Sequence, residues 1–198
     1  AKAILVGDKF QRIIPETYDS EILYVINKYD VRNSELKQED ITGMKDFLAQ
    51  ANEDERQNLL GISVSSYASP DGELDLNTKL AEKRQKTAQN YLAGQMKKAK
   101  VEVDESLLSV LSTPEDWDGF KKLVEASSIQ DKEMILRVLS MHSDPEVREQ
   151  EIKNISAAFE VIKEKILPDL RRSKFTVNVD KIGWSDEELQ DLWANDPD

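Results

Sequence analysis

The segment from Gly61 to Leu92, GISVSSYASPDGELDLNTKLAEKRQKTAQNYL, places a strand, a tight turn and a helix within one short stretch of chain. Residues up to Ser66 alternate apolar and small polar side chains, which is typical of a strand, and Ser69-Pro70-Asp71-Gly72 is strong turn chemistry. The helix that follows carries Arg84 in its apolar row, four residues before Ala88. A guanidinium in that position needs an anionic partner. The segment therefore favours a binding module over a catalyst.

The composition is that of one globular domain with an acidic surface. With 198 residues, of which 39% are hydrophobic, the chain can bury a sizeable core. The net charge of -12 opposes nucleic-acid binding, because nucleic-acid binders need a basic face. No apolar run approaches the roughly 20 residues that span a bilayer. The absence of cysteine excludes disulfides, thiolate zinc sites and cysteine nucleophiles, and nothing in the sequence indicates a cofactor.

The first half of the chain predicts strands that alternate with helices. A buried strand is expected at 22–26, where β-branched and aromatic residues run without interruption. The third strand is expected at 101–103 or at 107–111, where propensity does not separate strand from helix. The other expected elements are short extended segments at 3–6 and 11–14, a helix over 37–51, a strand over 60–66 and a helix over 77–98.

The second half is predominantly helical. Asp144-Pro145 is a good helix start, and an apolar stripe follows it at spacings of three and four, which predicts one long helix that Pro168 ends. A last strand is expected over 171–179, and an acidic helix without a packing partner begins after Gly183. The stripe consists of Ile152, Ile155, Phe159, Ile162 and Ile166. The predicted organisation is an upstream segment at 1–20, a domain at 21–180 with a helical insertion at 113–168, and a linker or the start of a following domain at 181–198.

The loop and helix described first resemble the peptidoglycan-binding signature of the OmpA-like C-terminal domain family. Its usual form is G-H-T-D-x-x-G followed by N-x-x-L-S-x-x-R-A, and Gly72, Asn77, Leu80 and Arg84 match it in spacing. The strand that opens with Arg171-Arg172 resembles the last strand of the family. The resemblance covers about residues 20 to 180. It implies an α/β (α+β) two-layer sandwich with a βαβα-type core, a mixed sheet of about four strands and, in this chain, an enlarged helical insertion before the last strand.

The resemblance also implies a function and a site. The family grips the diaminopimelate of peptidoglycan stem peptides in the periplasm of Gram-negative cells, with a loop Asp and the helix Arg. Here the Asp position is Ser69, and Asp71 is a candidate substitute two residues later. The expected partner is therefore a diaminopimelate-type stem peptide, and envelope proteins are further candidate partners. The expected ligand-binding residues are Ser69, Asp71, Gly72, Asn77 and Arg84. The alternative for Arg84 is a structural arginine paired with Asp71, Asp75 or a loop carbonyl.

Two functions follow as expectations. The first is non-catalytic anchoring of an outer-membrane-associated protein to peptidoglycan. The second is an OmpA-like scaffold for protein–protein interaction in the cell envelope, with a lapsed pocket. Exposure of the apolar stripe of residues 152–166 as a large patch would favour the second.

Enzymatic interpretations are weaker. His142 is the only histidine, which excludes multi-histidine metal sites and makes any Ser-His-Asp triad depend on one loop residue. The acids around Trp117, from Glu115 to Asp118, are a candidate carboxylate pair for glycoside cleavage. Acids at a helix start more often interact with the helix dipole, and in that case Trp117 and Phe120 pack within the insertion. We therefore expect no enzymatic activity.

Overall fold

A four-stranded mixed sheet organises the chain in the computed structural model, which describes residues 12–101 and 105–195. The strand order is β1-β4-β2-β3. The strand β4 pairs antiparallel with β1 and with β2, and β2 pairs parallel with β3. The strands are β1 (Ile13–Leu23), β2 (Gln57–Tyr67), β3 (Leu108–Thr113) and β4 (Arg172–Ile182).

Two helices, α1 (Glu39–Glu53) and α2 (Leu74–Lys98), cover one face of this sheet. Alternate residues of the strands point toward them, so Val64, Phe175 and Val177 are fully buried. The opposite face carries polar pairs, such as Lys174 with Asp19 at 2.9 Å. The mixed α/β class and the four-stranded sheet are thus as predicted, and so are the helices and the strands expected at 37–51, 60–66, 77–98 and 171–179.

The helical insertion lies between β3 and β4 and has a hydrophobic core of its own. Phe120, Ile135, Ile152 and Ile162 are almost completely buried in that core. The insertion was expected to contain one long helix after Asp144, and this prediction was wrong, because the chain bends at Ile155 and again at Ile166. Pro168 accounts for the second bend, since proline lacks the N–H and clashes with the preceding helical turn. The helices are α3 (Trp117–Ala126), α4 (Lys132–Met141), α5 (Pro145–Asn154), α6 (Ser156–Lys165) and α7 (Leu167–Leu170).

The first strand lies earlier in the sequence than expected. It runs through Pro15 and ends at Leu23, so the predicted strand at 22–26 was misplaced. Pro15 is tolerated because β1 is an edge strand of the sheet. After Leu23 the chain leaves the sheet and turns the carbonyl of Val25 toward Arg84. Two predicted segments fall mainly outside the described residues: the one at 3–6 and the alternative third strand at 101–103. The strand β3 matches the other alternative, at 107–111.

The helix α8 (Asp186–Asn195) follows β4 directly. Ser185 and Glu188 form a reciprocal cap at its start, in which the Ser185 N–H donates to the Glu188 carboxylate at 2.6 Å and the Glu188 N–H donates to the Ser185 hydroxyl at 3.1 Å. Glu188 also pairs with Arg56, next to β2, at 2.8 Å. These polar contacts hold the first turn of α8. Its apolar residues Leu189 and Trp193 remain exposed, so the expected lack of a packing partner holds for these two side chains. Among the described residues, none of the helices combines the length and apolar character that crossing a membrane requires.

Candidate functional site

The loop of residues 68–73 joins β2 to α2 and carries Ser69, Asp71 and Gly72 of the predicted site. Gly72 has a φ of +113°, a conformation that residues with a Cβ rarely adopt. Asn77, in the first turns of α2, donates from its side-chain amide to the carbonyls of Ser69 at 3.2 Å and of Gly72 at 3.5 Å. Asn77 is buried, so these bonds also satisfy its amide. The matched glycine and asparagine thus shape the loop.

Arg84 lies on the buried face of α2 with an exposed fraction of 0%. The small residues Ala81 and Ala88, one turn before and after it, are buried on the same face. Its guanidinium donates to three backbone carbonyls: Nε to Lys28 at 3.0 Å, Nη1 to Tyr67 at 2.9 Å and Nη2 to Val25 at 3.4 Å. Arg84 is therefore paired with backbone carbonyls and not with Asp71 or Asp75, the other two structural partners considered from the sequence.

An aromatic ring and a chain of hydroxyl groups complete the surroundings of Arg84. The Tyr24 ring lies 5.0 Å from the guanidinium carbon, within the range of a cation–π interaction. The Tyr24 hydroxyl is 3.0 Å from the hydroxyl of Ser173, which is 2.6 Å from that of Ser66. Burial lowers the pKa of Arg84 to about 10, and Tyr24 opposes this shift. Among the smaller effects, the positive charge of Arg171 lowers the pKa further and the carboxylate of Asp71 raises it. Arg84 thus remains a cation at neutral pH.

Arg171 and Asp71 form the more accessible part of the site. Arg171 Nη2 lies 3.9 Å from an Asp71 carboxylate oxygen, and Arg171 Nε donates to the Ser69 hydroxyl at 3.4 Å. The other Asp71 oxygen, Oδ1, is buried and has no hydrogen-bond partner. The structure thus brings Asp71 and Ser69 to one cationic side chain. Sequence reasoning did not name Arg171 as a site residue, although the pair of arginines that opens the last strand was a signal for it.

The helical insertion contacts the same loop. A small cavity of about 20 Å³, large enough for roughly one water molecule, separates Asp71 from aromatic residues of the insertion. Trp117 and Phe159 line it together with Glu149. Glu149 also accepts a hydrogen bond from the Gly72 N–H at 2.9 Å. The insertion therefore forms one wall of the candidate site.

Asp116 and Trp117, two of the residues considered for catalysis, make structural contacts. Asp116 is the N-cap of α3, where it accepts from the Gly119 N–H at 2.9 Å, and it pairs with Arg172 at 2.8 Å. Trp117 and Phe120 pack edge to face, with ring centroids 5.6 Å apart, as expected for residues internal to the insertion. His142 ends α4, and its carbonyl accepts from Arg148. Across residues 12–101 and 105–195, no group of three or more histidine or acidic side chains is arranged to hold a metal ion.

Comparison with known proteins adds no assignment to this geometry. The chain matches no protein-family model, and no curated protein is detectably similar to it.

Proposed function

We propose that this chain is a non-catalytic periplasmic binding domain that anchors an outer-membrane-associated protein to peptidoglycan through its stem peptide. The observation that carries the proposal is the pair formed by Asp71 and Arg171 at the loop before α2, with an Asp71 oxygen that has no hydrogen-bond partner. The diaminopimelate end of a stem peptide presents an ammonium and a carboxylate close together. A carboxylate beside a guanidinium is complementary to such a group.

Asp71 is the proposed acceptor for the ammonium. The family position for this carboxylate is Ser69, whose hydroxyl lies 3.4 Å from Arg171 Nε. Since Arg171 contacts both residues, a carboxylate at either position meets the same cation. The substitution of Asp by Ser at position 69 therefore need not remove the acidic group from the site, because Asp71 supplies one from the same loop.

Arg171 and Arg84 are the proposed partners of the ligand carboxylate, in different ways. Arg171 already contacts the loop side chains that would meet the ligand. Arg84 is completely enclosed and bonded to three carbonyls, so it binds a ligand directly only if the loop or the 24–28 segment moves. We therefore assign the direct contact with the ligand to Arg171, and to Arg84 the support of Tyr67, the residue that precedes the loop.

The enclosure of Arg84 is also the specific observation that favours the second function, an OmpA-like interaction scaffold with a lapsed pocket. In that case the arginine is purely structural. The apolar stripe does not favour the scaffold, because Ile152, Ile162 and Ile166 are each less than 5% exposed and belong to the core of the insertion. The two proposals therefore differ in whether the loop binds a stem peptide at all.

The test is sedimentation of the purified chain with peptidoglycan sacculi, in competition with a diaminopimelate-containing peptide. We expect competable binding that Asp71→Asn weakens by about tenfold to a hundredfold, since a charge-assisted hydrogen bond contributes about 1.5–3 kcal/mol. Ser69→Asp should strengthen it, and Arg84→Ala should abolish it. Asp75→Asn is the matched control, because it removes the same charge from an exposed position in the first turn of α2.

Each outcome decides between the two functions. Competable binding that depends on Asp71 supports the wall anchor even if Arg84→Ala fails to fold. A folded wild-type chain that does not sediment with sacculi excludes it and leaves the interaction scaffold. Equal binding by Asp71→Asn, Ser69→Asp and wild type would remove this loop from the site.

A further inference from the structure

Glu149 is the residue through which the helical insertion holds the loop before α2. Its Oε1 accepts from the Gly72 N–H at 2.9 Å and from Lys153 Nζ, one turn along α5, at 2.6 Å. The Glu149 side chain is 21% exposed, whereas Gly72 and Lys153 lie at the surface. Glu149 and Gly72 are 77 residues apart in sequence. The bond therefore connects two parts of the chain that sequence proximity does not hold together.

Gly72 is held from two sides. Its N–H donates to Glu149 of the insertion, and its carbonyl accepts from Asn77 of α2 at 3.5 Å. Its φ of +113° is a conformation that only glycine adopts easily. Because glycine has no side chain, steric contacts of a side chain do not fix this conformation. The bonds from Glu149 and Asn77 hold Gly72 in this conformation from outside the loop.

The residues just before Gly72 face the same insertion. Pro70 and Asp71 line the small cavity whose other walls include Trp117 and Phe159. A displacement of the insertion would therefore change the position of the Asp71 carboxylate as well as that of Gly72. The carboxylate that the proposed function assigns to the ligand ammonium depends on this support.

We propose that Glu149 is a positioning residue of the binding site, which holds the 69–72 loop in its ligand-competent conformation from the helical insertion. The inference rests on the proposed function, because it assumes that the loop binds a stem peptide and that its conformation controls the affinity. It assigns a role to the insertion: α5 supplies an acceptor for a loop N–H. Glu149 acts through Gly72 and Asp71 and does not itself contact the ligand.

The experiment compares Glu149→Ala with the conservative Glu149→Gln. The amide oxygen of Gln still accepts from the Gly72 N–H, whereas Ala removes the acceptor. Two properties are measured: affinity for the diaminopimelate-containing peptide, and hydrogen exchange of the Gly72 amide in the free protein. Glu151→Ala is the control, because it removes an exposed carboxylate from the same helix. Thermal unfolding of each variant verifies that the insertion remains folded.

We expect Glu149→Ala to weaken peptide binding about tenfold and to lose protection of the Gly72 amide. Glu149→Gln should keep both within about twofold, since the ion pair with half-exposed Lys153 contributes little. Wild-type affinity in Glu149→Ala, with Gly72 deprotected, would overturn the positioning role while the proposed function stands. Equal losses in the Gln and Ala variants would also overturn it. If the wild-type chain itself does not bind, the proposed function fails first and this inference fails with it.

Discussion

An arginine lies over an aromatic ring at each end of β2, and the two arginines differ in how far they are buried. Arg84 meets the carbonyl of Tyr67, the last residue of the strand, and lies 5.0 Å from the Tyr24 ring. Arg56 precedes the first residue of the strand and lies 3.7 Å from the Trp184 ring. Arg84 is 0% exposed, whereas the Arg56 side chain is 33% exposed. These two arginines thus place the same side-chain chemistry in a fully buried and in a partly exposed environment.

The partners differ as the environments do. Arg84 is bonded to backbone carbonyls, which are fixed by the fold and cannot rotate away. Arg56 is bonded to the Glu188 carboxylate, whose side chain is 45% exposed, so water can also solvate it. Removal of a buried cation leaves its acceptors without donors, whereas removal of an exposed one leaves groups that water satisfies. We therefore expect Arg84 to matter for stability and Arg56 to matter only for the local order of α8.

The largest effect should come from Arg84→Ala. Three carbonyls would lose their donor and a cavity would open beside Tyr24, so we expect the free energy of unfolding to fall by about 3–5 kcal/mol. Arg84→Lys should also destabilise the chain, because one ammonium cannot reproduce the fixed fork that reaches three carbonyls. Urea denaturation followed by circular dichroism measures both changes.

The control for this prediction lies on the same helix. Lys86 is exposed, and Lys86→Ala should change the free energy of unfolding by no more than about 0.5 kcal/mol. If Arg84→Ala lowers the free energy of unfolding by less than about 1 kcal/mol, the buried arginine stabilises the fold no more than an exposed one does.

The sequence predicted the fold better at its centre than at its ends. The pattern from Leu60 to Lys98 combined strand alternation, turn residues and helical spacing, and the structure follows it closely. The strand at 22–26 was misplaced because its apolar residues do not share one role: Ile22 is in the sheet, Tyr24 contacts the Arg84 cluster, and Val25 and Ile26 are about half exposed. A run of apolar residues indicates burial, but it does not say which element buries them.

The candidate site could be predicted in part. The position of Arg84 on a buried helix face followed from its spacing, but its carbonyl partners did not, because any residue contributes a carbonyl and none leaves a sequence signal. Glu149 and Arg171 join the loop only through tertiary packing, across 77 and 102 residues. The bend at Ile155 likewise depends on how the insertion packs, and no glycine or proline adjoins it.

A smaller effect is expected at the other end of β2. Arg56→Ala removes an ion pair and a stacking contact that are both partly exposed, so the free energy of unfolding should fall by no more than about 1 kcal/mol. The fluorescence of Trp184 should nevertheless change, because the guanidinium leaves its ring face. Urea denaturation and the emission spectrum of the same samples measure both. If Arg56→Ala lowers the free energy of unfolding by more than about 2 kcal/mol, Arg56 contributes to stability on a scale similar to Arg84, which contradicts this prediction.

The smallest effect is a titration. The hydrogen bond from Arg56, followed by that from the Ser185 N–H, lowers the pKa of Glu188 from 4.5 to about 2. A lowered carboxyl pKa means that the folded state favours the ionised form, so this stabilisation is present above pH 4.5 and is lost as the pH falls through about 2. Carboxyl NMR should show a low midpoint for Glu188 in the wild type and a higher one in Arg56→Ala. The carbonyl partners of Arg84 do not titrate, so acid should loosen the start of α8 through Glu188 while the bonds of Arg84 remain. A Glu188 midpoint near 4.5 in the wild type would mean that Arg56 and Glu188 are not paired in solution.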